Sequence, residues 1–258
     1  MQNAERDISI LVQSEPIIKT WSTLGITPYI LYGMVNAMLS VKSGQGQPLV
    51  NPGDGRWLIV QLPYGQALSP ASHVPVPAGE YEISLRQQGL DCYPRPEIQQ
   101  LNWDKEDKTK RDRNFTTLIR NTYGQCVVTG TPYRVDMHAA HICPVSTNFK
   151  IWDWLAQYAF HEDVQMTTQF LHSASNGVLL RADIHTAFDA YAITVIQDPN
   201  EWWSWQVLAV DPAFAGKTGM PFAINRPVDD DDRKRLVCSL QMHFIYATQK
   251  YAGAWFPV

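Results

Sequence analysis

The fold is decided by the stretch SNGVLLRADIHTAFDAYAITV, residues 175–195. Asp183 is a favourable N-cap residue and predicts a short helix that continues to Asp189. His185 and Asp189 are four residues apart on this helix, so their side chains lie on one face, one turn apart. A neutral imidazole and a carboxylate at that spacing form half of a divalent-cation site.

Two motifs upstream of this stretch complete the pattern. The run CVVTG, residues 126–130, predicts a short strand and a turn. Residues 135–142 predict a second strand, which ends at Pro144 because proline lacks the N–H that a strand ladder needs. His141 lies at the end of that strand and is a candidate general base. Asn176 belongs to a strong Asn-Gly turn dipeptide that leads towards the helix.

These motifs, in this order, resemble the HNH (ββα-metal) endonuclease superfamily over residues 126–196. They are similar in particular to the subgroup written C-x-x-T-G, A-A-H-I-x-P and N-G-x-x-L-x-x-x-x-H-x-x-F-D. The resemblance implies that His141 deprotonates the attacking water and that Asn176 orients this histidine or approaches the metal. It also implies that His185 and Asp189 are the metal ligands.

The resemblance further implies a cofactor, a substrate and an activity. The cofactor is a divalent cation, with Mg²⁺ or Mn²⁺ favoured and Zn²⁺ as the alternative, which clamps the scissile phosphate. The activity is metal-dependent hydrolysis of phosphodiester bonds in nucleic acid, with DNA favoured as the substrate. The alternative is an HNH-fold protein that uses the same histidines and asparagine on a small molecule, or that binds without cleaving. The formal net charge of -4 and Ala140 favour this alternative.

Ala140 departs from the family pattern, because many members have Asp or His immediately before the base histidine as a further metal ligand. Asp136 and His138 are near enough to substitute, but strand alternation places residues 138 and 141 on opposite faces. His138 is therefore interpreted as a structural residue. The same interpretation applies to the histidines outside the motifs, His73, His161, His172 and His243.

Composition predicts a packed globular protein, because 45% of the residues are hydrophobic and only 18% are charged. The four cysteines form no Cys-x-x-Cys pair, so the sequence predicts buried reduced thiols and neither a disulfide framework nor structural zinc. The N-terminus lacks a signal-peptide pattern, and no apolar run is long enough for a membrane span. The protein is therefore expected to be soluble and intracellular, in the cytoplasm or nucleus, with no membrane partner.

The predicted fold class is α+β, with a ββα-metal core flanked by helices and a β-containing N-terminal region. Strand-like runs at 57–62 and 80–85 support the N-terminal part of this prediction. The mixed charged segment at 104–113 is interpreted as a solvated linker or the first turns of a helix, and a domain boundary is predicted near 100–110. The chain is therefore divided into 1–105, a β-containing region of unknown role, and 106–258, an HNH nuclease-like domain with a C-terminal helix.

Hydrophobic spacing and capping residues predict the remaining elements. Helices are predicted at 30–41, 114–123, 151–171 and 229–251, and strands at 192–197 and 202–210.

Overall fold

A computed structural model describes residues 6–12, 14–43, 57–63, 65–85, 90–94, 113–144, 165–198, 201 and 203–252. The chain divides into two compact units. The first comprises residues 1–99, 210–215 and 247–258, and the second comprises 100–209 and 216–246. Helices and strands are mixed along the chain, which places the protein in the α+β class.

Strands dominate the first unit. Its elements are β1 (Ile8–Val12), β2 (Glu15–Thr20), α1 (Pro28–Met38), β3 (Leu39–Ser43), β4 (Trp57–Gln61), β5 (Gln66–Ala67), β6 (Gly79–Leu85) and β7 (Leu90–Pro94). Five strands form one sheet in the order β2-β1-β6-β4-β5, with β1 and β6 parallel and the other pairs antiparallel. The predicted strands at 57–62 and 80–85 are confirmed as β4 and β6, which pair with each other.

Helix α1 confirms most of the helix predicted at 30–41 and corrects its end. Thr27 caps the helix by accepting a hydrogen bond from the N–H of Ile30, and Pro28 occupies the first turn, where its missing N–H costs nothing. The chain leaves the helix at Leu39 and enters β3, which pairs with β7. The prediction was wrong for residues 39–41 because pairing with a distant strand overrides a local helical pattern.

The second unit contains two antiparallel ribbons and the helices around them. Its elements are α2 (Arg113–Thr122), β8 (Met137–His141), α3 (Thr168–Leu171), β9 (Gly177–Arg181), α4 (Ala182–Asp189), β10 (Ile193–Gln197), β11 (Trp205–Ala209) and α5 (Asp230–Ala252), of which 247–252 belong to the first unit. Strand β8 pairs with β9, and β10 pairs with β11. The predicted helices at 114–123 and 229–251 are confirmed as α2 and α5.

Two predictions in this unit need correction. The run CVVTG forms the predicted turn, in which the N–H of Gly130 donates to the carbonyl of Cys126, but the short strand predicted with it is not observed. The helix predicted at 151–171 is observed only at Thr168–Leu171, where the side chain of Thr167 caps it. Residues 151–164 of that prediction lie outside the described part of the chain.

His243 is a core residue, as the sequence interpretation proposed. Its ring is 3% exposed and stacks on Phe188 with the centroids 3.8 Å apart. Nε2 lies 3.1 Å from the carbonyl oxygen of Phe188, so it must carry the proton, while Nδ1 accepts from the hydroxyl of Thr194 at 3.0 Å. Burial lowers the pKa of His243 to about 3, and the imidazole is therefore neutral at pH 7 and anchors α5 to α4 and β10.

Cys126, Cys143 and Cys238 are buried reduced cysteines, in agreement with the sequence prediction. The side chain of Cys92 is not among those that the structure describes. Among the described residues, no helix combines the length and the apolar character that crossing a bilayer requires.

Candidate functional site

A two-stranded ribbon followed directly by a helix forms the framework of the site. Strand β9 ends at Arg181 and α4 begins at the next residue, with no connecting loop. The N–H of Ala182 donates to the carbonyl of Asp136 at 2.9 Å, which fastens the start of α4 beside the start of β8. This order and pairing of elements is a ββα unit, and it positions the side chains discussed below.

The start of α4 differs from its prediction. The helix begins at Ala182, so Asp183 lies in its first turn and Arg181 occupies the cap position without a side-chain cap bond. The guanidinium of Arg181 binds the carboxylate of Asp183 through two hydrogen bonds of 2.6 Å. This ion pair lowers the pKa of the Asp183 carboxyl group. Asp183 is therefore a partner of Arg181 and does not cap the helix.

His185 and Asp189 lie one turn apart on α4 and face each other. The Nε2 atom of His185 is 3.3 Å from an Oδ atom of Asp189. The side chain of His185 is 14% exposed and that of Asp189 is 56% exposed, so the pair opens towards solvent. The spacing of four residues along the sequence predicted this contact, because it depends only on the local helix.

The ring of His141 is held between aromatic neighbours. It stacks on Phe115 of α2 with the centroids 3.7 Å apart and the planes inclined by 6°. The ring of His172 lies edge-on to it at 6.2 Å. The Nε2 atom of His141 is buried. These contacts fix the plane of the imidazole and restrict the directions from which a substrate could approach it.

Gly177 makes the stacking of Phe115 on His141 possible. It pairs with His141 across the ribbon, so a side chain at either position would leave the same face. A Cβ atom added to Gly177 would overlap the side chain of Ile119 and would lie 2.7 Å from the Cζ atom of Phe115. The glycine is therefore required by the close approach of α2 and not by an unusual backbone conformation.

Replacing Gly177 with alanine is expected to lower the free energy of unfolding by about 1–3 kcal/mol, since the added methyl group must displace α2. Chemical denaturation monitored by circular dichroism measures this change. Gly124→Ala is the matched control, because a Cβ at that position has no atom of the described residues within 4 Å apart from its local backbone neighbours. Equal stability of the two variants would contradict close packing at Gly177.

Asn176 is fully buried and joins three segments of backbone. Its Oδ1 atom accepts from the N–H of Cys143 at 2.8 Å, and its Nδ2 atom donates to the carbonyls of Cys143 and Leu171, each at 3.0 Å. Its own carbonyl accepts from the N–H of Ile142. The amide of Asn176 therefore fixes the chain immediately after His141 and ties it to the end of α3.

His138 lies beside His185, which the sequence interpretation did not foresee. The two ring centroids are 5.0 Å apart, with the planes inclined by 51°. Residues 138 and 141 are three apart in β8, so their side chains leave opposite faces of the strand. The two faces of the ribbon thus differ. His141 lies among aromatic side chains on one face, and His138 lies beside His185 and Asp189 on the other. The signal that could have revealed His138 is the register of β8 and β9, which a single sequence does not give.

The donor atoms of His185 and Asp189 fit a divalent cation. Two ligands that bind one ion at about 2.1 Å lie about 3.0–3.4 Å apart in octahedral or tetrahedral geometry. The observed separation of 3.3 Å falls in that range. Within the described residues, no group of three or more His, Cys, Asp or Glu side chains is already arranged to hold a metal ion. The observed geometry therefore places two donor atoms at a separation that suits a shared cation.

The described residues around the ribbon are electrically balanced. Residues 113–144 and 165–198 contain four arginines and four aspartates. Arginine or lysine side chains in excess supply the positive potential of most nucleic-acid-binding surfaces. These two segments therefore supply no excess of positive charge for binding a phosphate.

Comparison with known protein families matches part of the chain to a family model. Residues 126–196 match the family model described as HNH endonuclease. The matched segment contains β8, β9 and α4, together with His141, Asn176 and His185. The match agrees with the resemblance to the HNH superfamily that the sequence motifs carry. No curated protein and no solved structure matches the chain.

Proposed function

We propose that this protein is a metal-dependent nuclease that hydrolyses phosphodiester bonds of nucleic acid, with DNA as the favoured substrate. The observation that carries the proposal is the match of residues 126–196 to the HNH endonuclease family, over the segment that folds as a ββα unit. Membership of the subgroup defined by the three motifs is part of this proposal.

His141 is the proposed general base. A neutral imidazole can accept the proton of an attacking water molecule, and the stacked Phe115 holds its plane. Asn176 contributes indirectly, because its amide fixes the backbone that follows His141. The buried Nε2 atom requires the residues around the ring to move when a substrate binds, as catalytic contacts often tighten only in the complex.

His185 and Asp189 are the proposed ligands of a divalent cation, with Mg²⁺ or Mn²⁺ favoured and Zn²⁺ as the alternative. Such a cation would polarise the scissile phosphate and stabilise the charge that develops on the leaving oxygen. The 14% exposure of His185 and the 56% exposure of Asp189 leave room for a phosphate oxygen beside them. The proposal requires His141 and the His185–Asp189 pair to act on the same phosphodiester bond. That the three side chains meet at one site stays a prediction.

A non-cleaving binding module built on the HNH fold is the second candidate. Two observations favour it. The Nε2 atom of His141 is buried, and His141 leaves the face of β8 opposite to that of His138, the histidine that lies beside His185. Such a module would bind nucleic acid or a small molecule at the same residues without hydrolysis.

A plasmid assay separates the two candidates. Supercoiled DNA incubated with the full chain and Mg²⁺, Mn²⁺ or Zn²⁺ is expected to yield nicked and linear forms, and EDTA is expected to abolish them. A labelled RNA in a parallel reaction identifies the preferred nucleic acid. Cleavage that persists in EDTA would contradict the metal dependence. Plasmid that is retarded on the gel but never cut in any cation would support the binding module instead.

A further inference from the structure

We propose that His138 is a third ligand of the cation held by His185 and Asp189, so that the site has two imidazoles and one carboxylate. This inference deepens the proposed function and rests on it for the presence of a cation. The observation behind it is the proximity of the His138 ring to the His185 ring across the junction of β8 and α4.

The separation of the two rings fits a shared ion. In an imidazole that binds a metal at about 2.1 Å, the ring centroid lies about 3.2 Å from the metal. Two such rings at angles between octahedral and tetrahedral have centroids about 4.5–5.2 Å apart. The centroids of His138 and His185 are 5.0 Å apart, and Asp189 completes the group 3.3 Å from Nε2 of His185.

The backbone holds His138 in this position. Its pairing with Leu180 places it next to the end of β9, and the bond from Ala182 to Asp136 fixes α4 against the same end of β8. His138 and His185 are both half-buried and Asp189 is exposed, so one side of the group is lined by protein and the other reaches solvent. Among the described residues no three such side chains are already arranged to hold a metal ion. The proposal therefore requires the His138 ring to rotate until one of its nitrogens faces His185 and Asp189.

The ligand set predicts which metal is preferred. Imidazole nitrogen favours transition metals, whereas carboxylate and water suit Mg²⁺. Two histidines and one aspartate should therefore bind Zn²⁺ and Mn²⁺ more tightly than Mg²⁺. A site of His185 and Asp189 alone would discriminate less between these ions.

Isothermal titration of the full chain with Zn²⁺, Mn²⁺ or Mg²⁺ tests the assignment without measuring activity. His138→Phe keeps a flat ring beside His185 but removes both nitrogen donors, and it is expected to weaken Zn²⁺ and Mn²⁺ binding at least about tenfold. Mg²⁺ binding should change less. His172→Phe makes the same substitution at another half-buried histidine, and it should leave the affinity for all three ions unchanged. His138→Glu restores an oxygen donor and should recover part of the affinity, favouring Mn²⁺.

The outcomes separate this inference from the proposed function. Binding of Zn²⁺ and Mn²⁺ to His138→Phe with unaltered affinity would overturn the ligand role, even where plasmid cleavage by the unaltered chain depends on metal. Failure of the unaltered chain to bind any of the three ions would also overturn it. Weakened binding in His138→Phe supports the ligand role whether or not DNA is cut, so a failed plasmid assay would then count against the nuclease alone. Should His138→Phe not fold, as judged by circular dichroism, His138→Gln takes its place.

Discussion

Replacing His141 with alanine is expected to slow nucleic-acid cleavage by about 10²- to 10⁴-fold, the usual effect of removing a general base. Cation binding should be unchanged, because His141 contacts Phe115 and His172 and is not one of the proposed ligands. Single-turnover rates at saturating cation measure the loss of activity, and isothermal titration checks that cation binding is unchanged.

His141→Phe distinguishes a chemical role from a packing role. Phenylalanine keeps a flat ring against Phe115 and so preserves the stacking, but it cannot accept a proton. It should therefore be as inactive as His141→Ala and more stable. His73→Ala, which alters an exposed histidine, should retain full activity. Cleavage at an unaltered rate by both variants would exclude His141 as the base. The base would then have to be another residue.

Metal titration separates the base from the ligands. If His141 is the base, a loss of activity caused by its absence is not expected to be recovered with more cation, because the missing step is then proton transfer. A variant of His185 should instead require a higher cation concentration and recover part of its activity there, since one ligand is lost and the base remains. The two classes of defect are thus expected to be distinct even though both lower cleavage under standard conditions.

The features predicted correctly from the sequence are those that depend on local spacing. The contact of His185 with Asp189 follows from a separation of four residues on one helix. Helix α5 follows from the aspartates at its start, which favour a helix N-terminus, and the strand at 80–85 follows from its alternating pattern. In each case, the residues that determine the structure are close neighbours in the sequence, within one or two helical turns or within a single strand.

The features that were missed depend on residues distant in the sequence. His138 meets His185 only because β8 and β9 pair in one particular register, and a shift of one residue would reverse the faces. The stacking of Phe115 on His141 requires the space that Gly177 leaves, and no local pattern reports it. The run CVVTG forms the turn that was predicted but not the strand, and the N–H of Val127 donates to the carbonyl of Leu179, which is distant in the sequence. Contacts between residues distant in the sequence therefore determined the features that the sequence did not predict.

Asn176 shows how a motif residue can act through the backbone, and its removal is expected to have a large effect on stability. Asn176→Ala deletes three side-chain hydrogen bonds and leaves the N–H of Cys143 and the carbonyls of Cys143 and Leu171 without them. Each buried polar group left without a partner costs about 1–3 kcal/mol, and such losses are not fully additive. The expected decrease in the free energy of unfolding is therefore about 3–5 kcal/mol, a large share of the 5–15 kcal/mol typical of a domain.

Urea denaturation and hydrogen exchange of residues 137–143 measure this loss and locate it. Exchange should accelerate most at Cys143, whose N–H loses its acceptor. Asn225→Ala is the matched control, because Asn225 is exposed and its described hydrogen bond uses only the backbone N–H. Asn176→Asp should keep the bond from Cys143 but set a carboxylate against two carbonyls, so it should be strongly destabilised at pH 7 and partly recover in acid, where the protonated group donates once. A cost below about 1 kcal/mol for Asn176→Ala would mean that water replaces the amide, and His141 would then need another support.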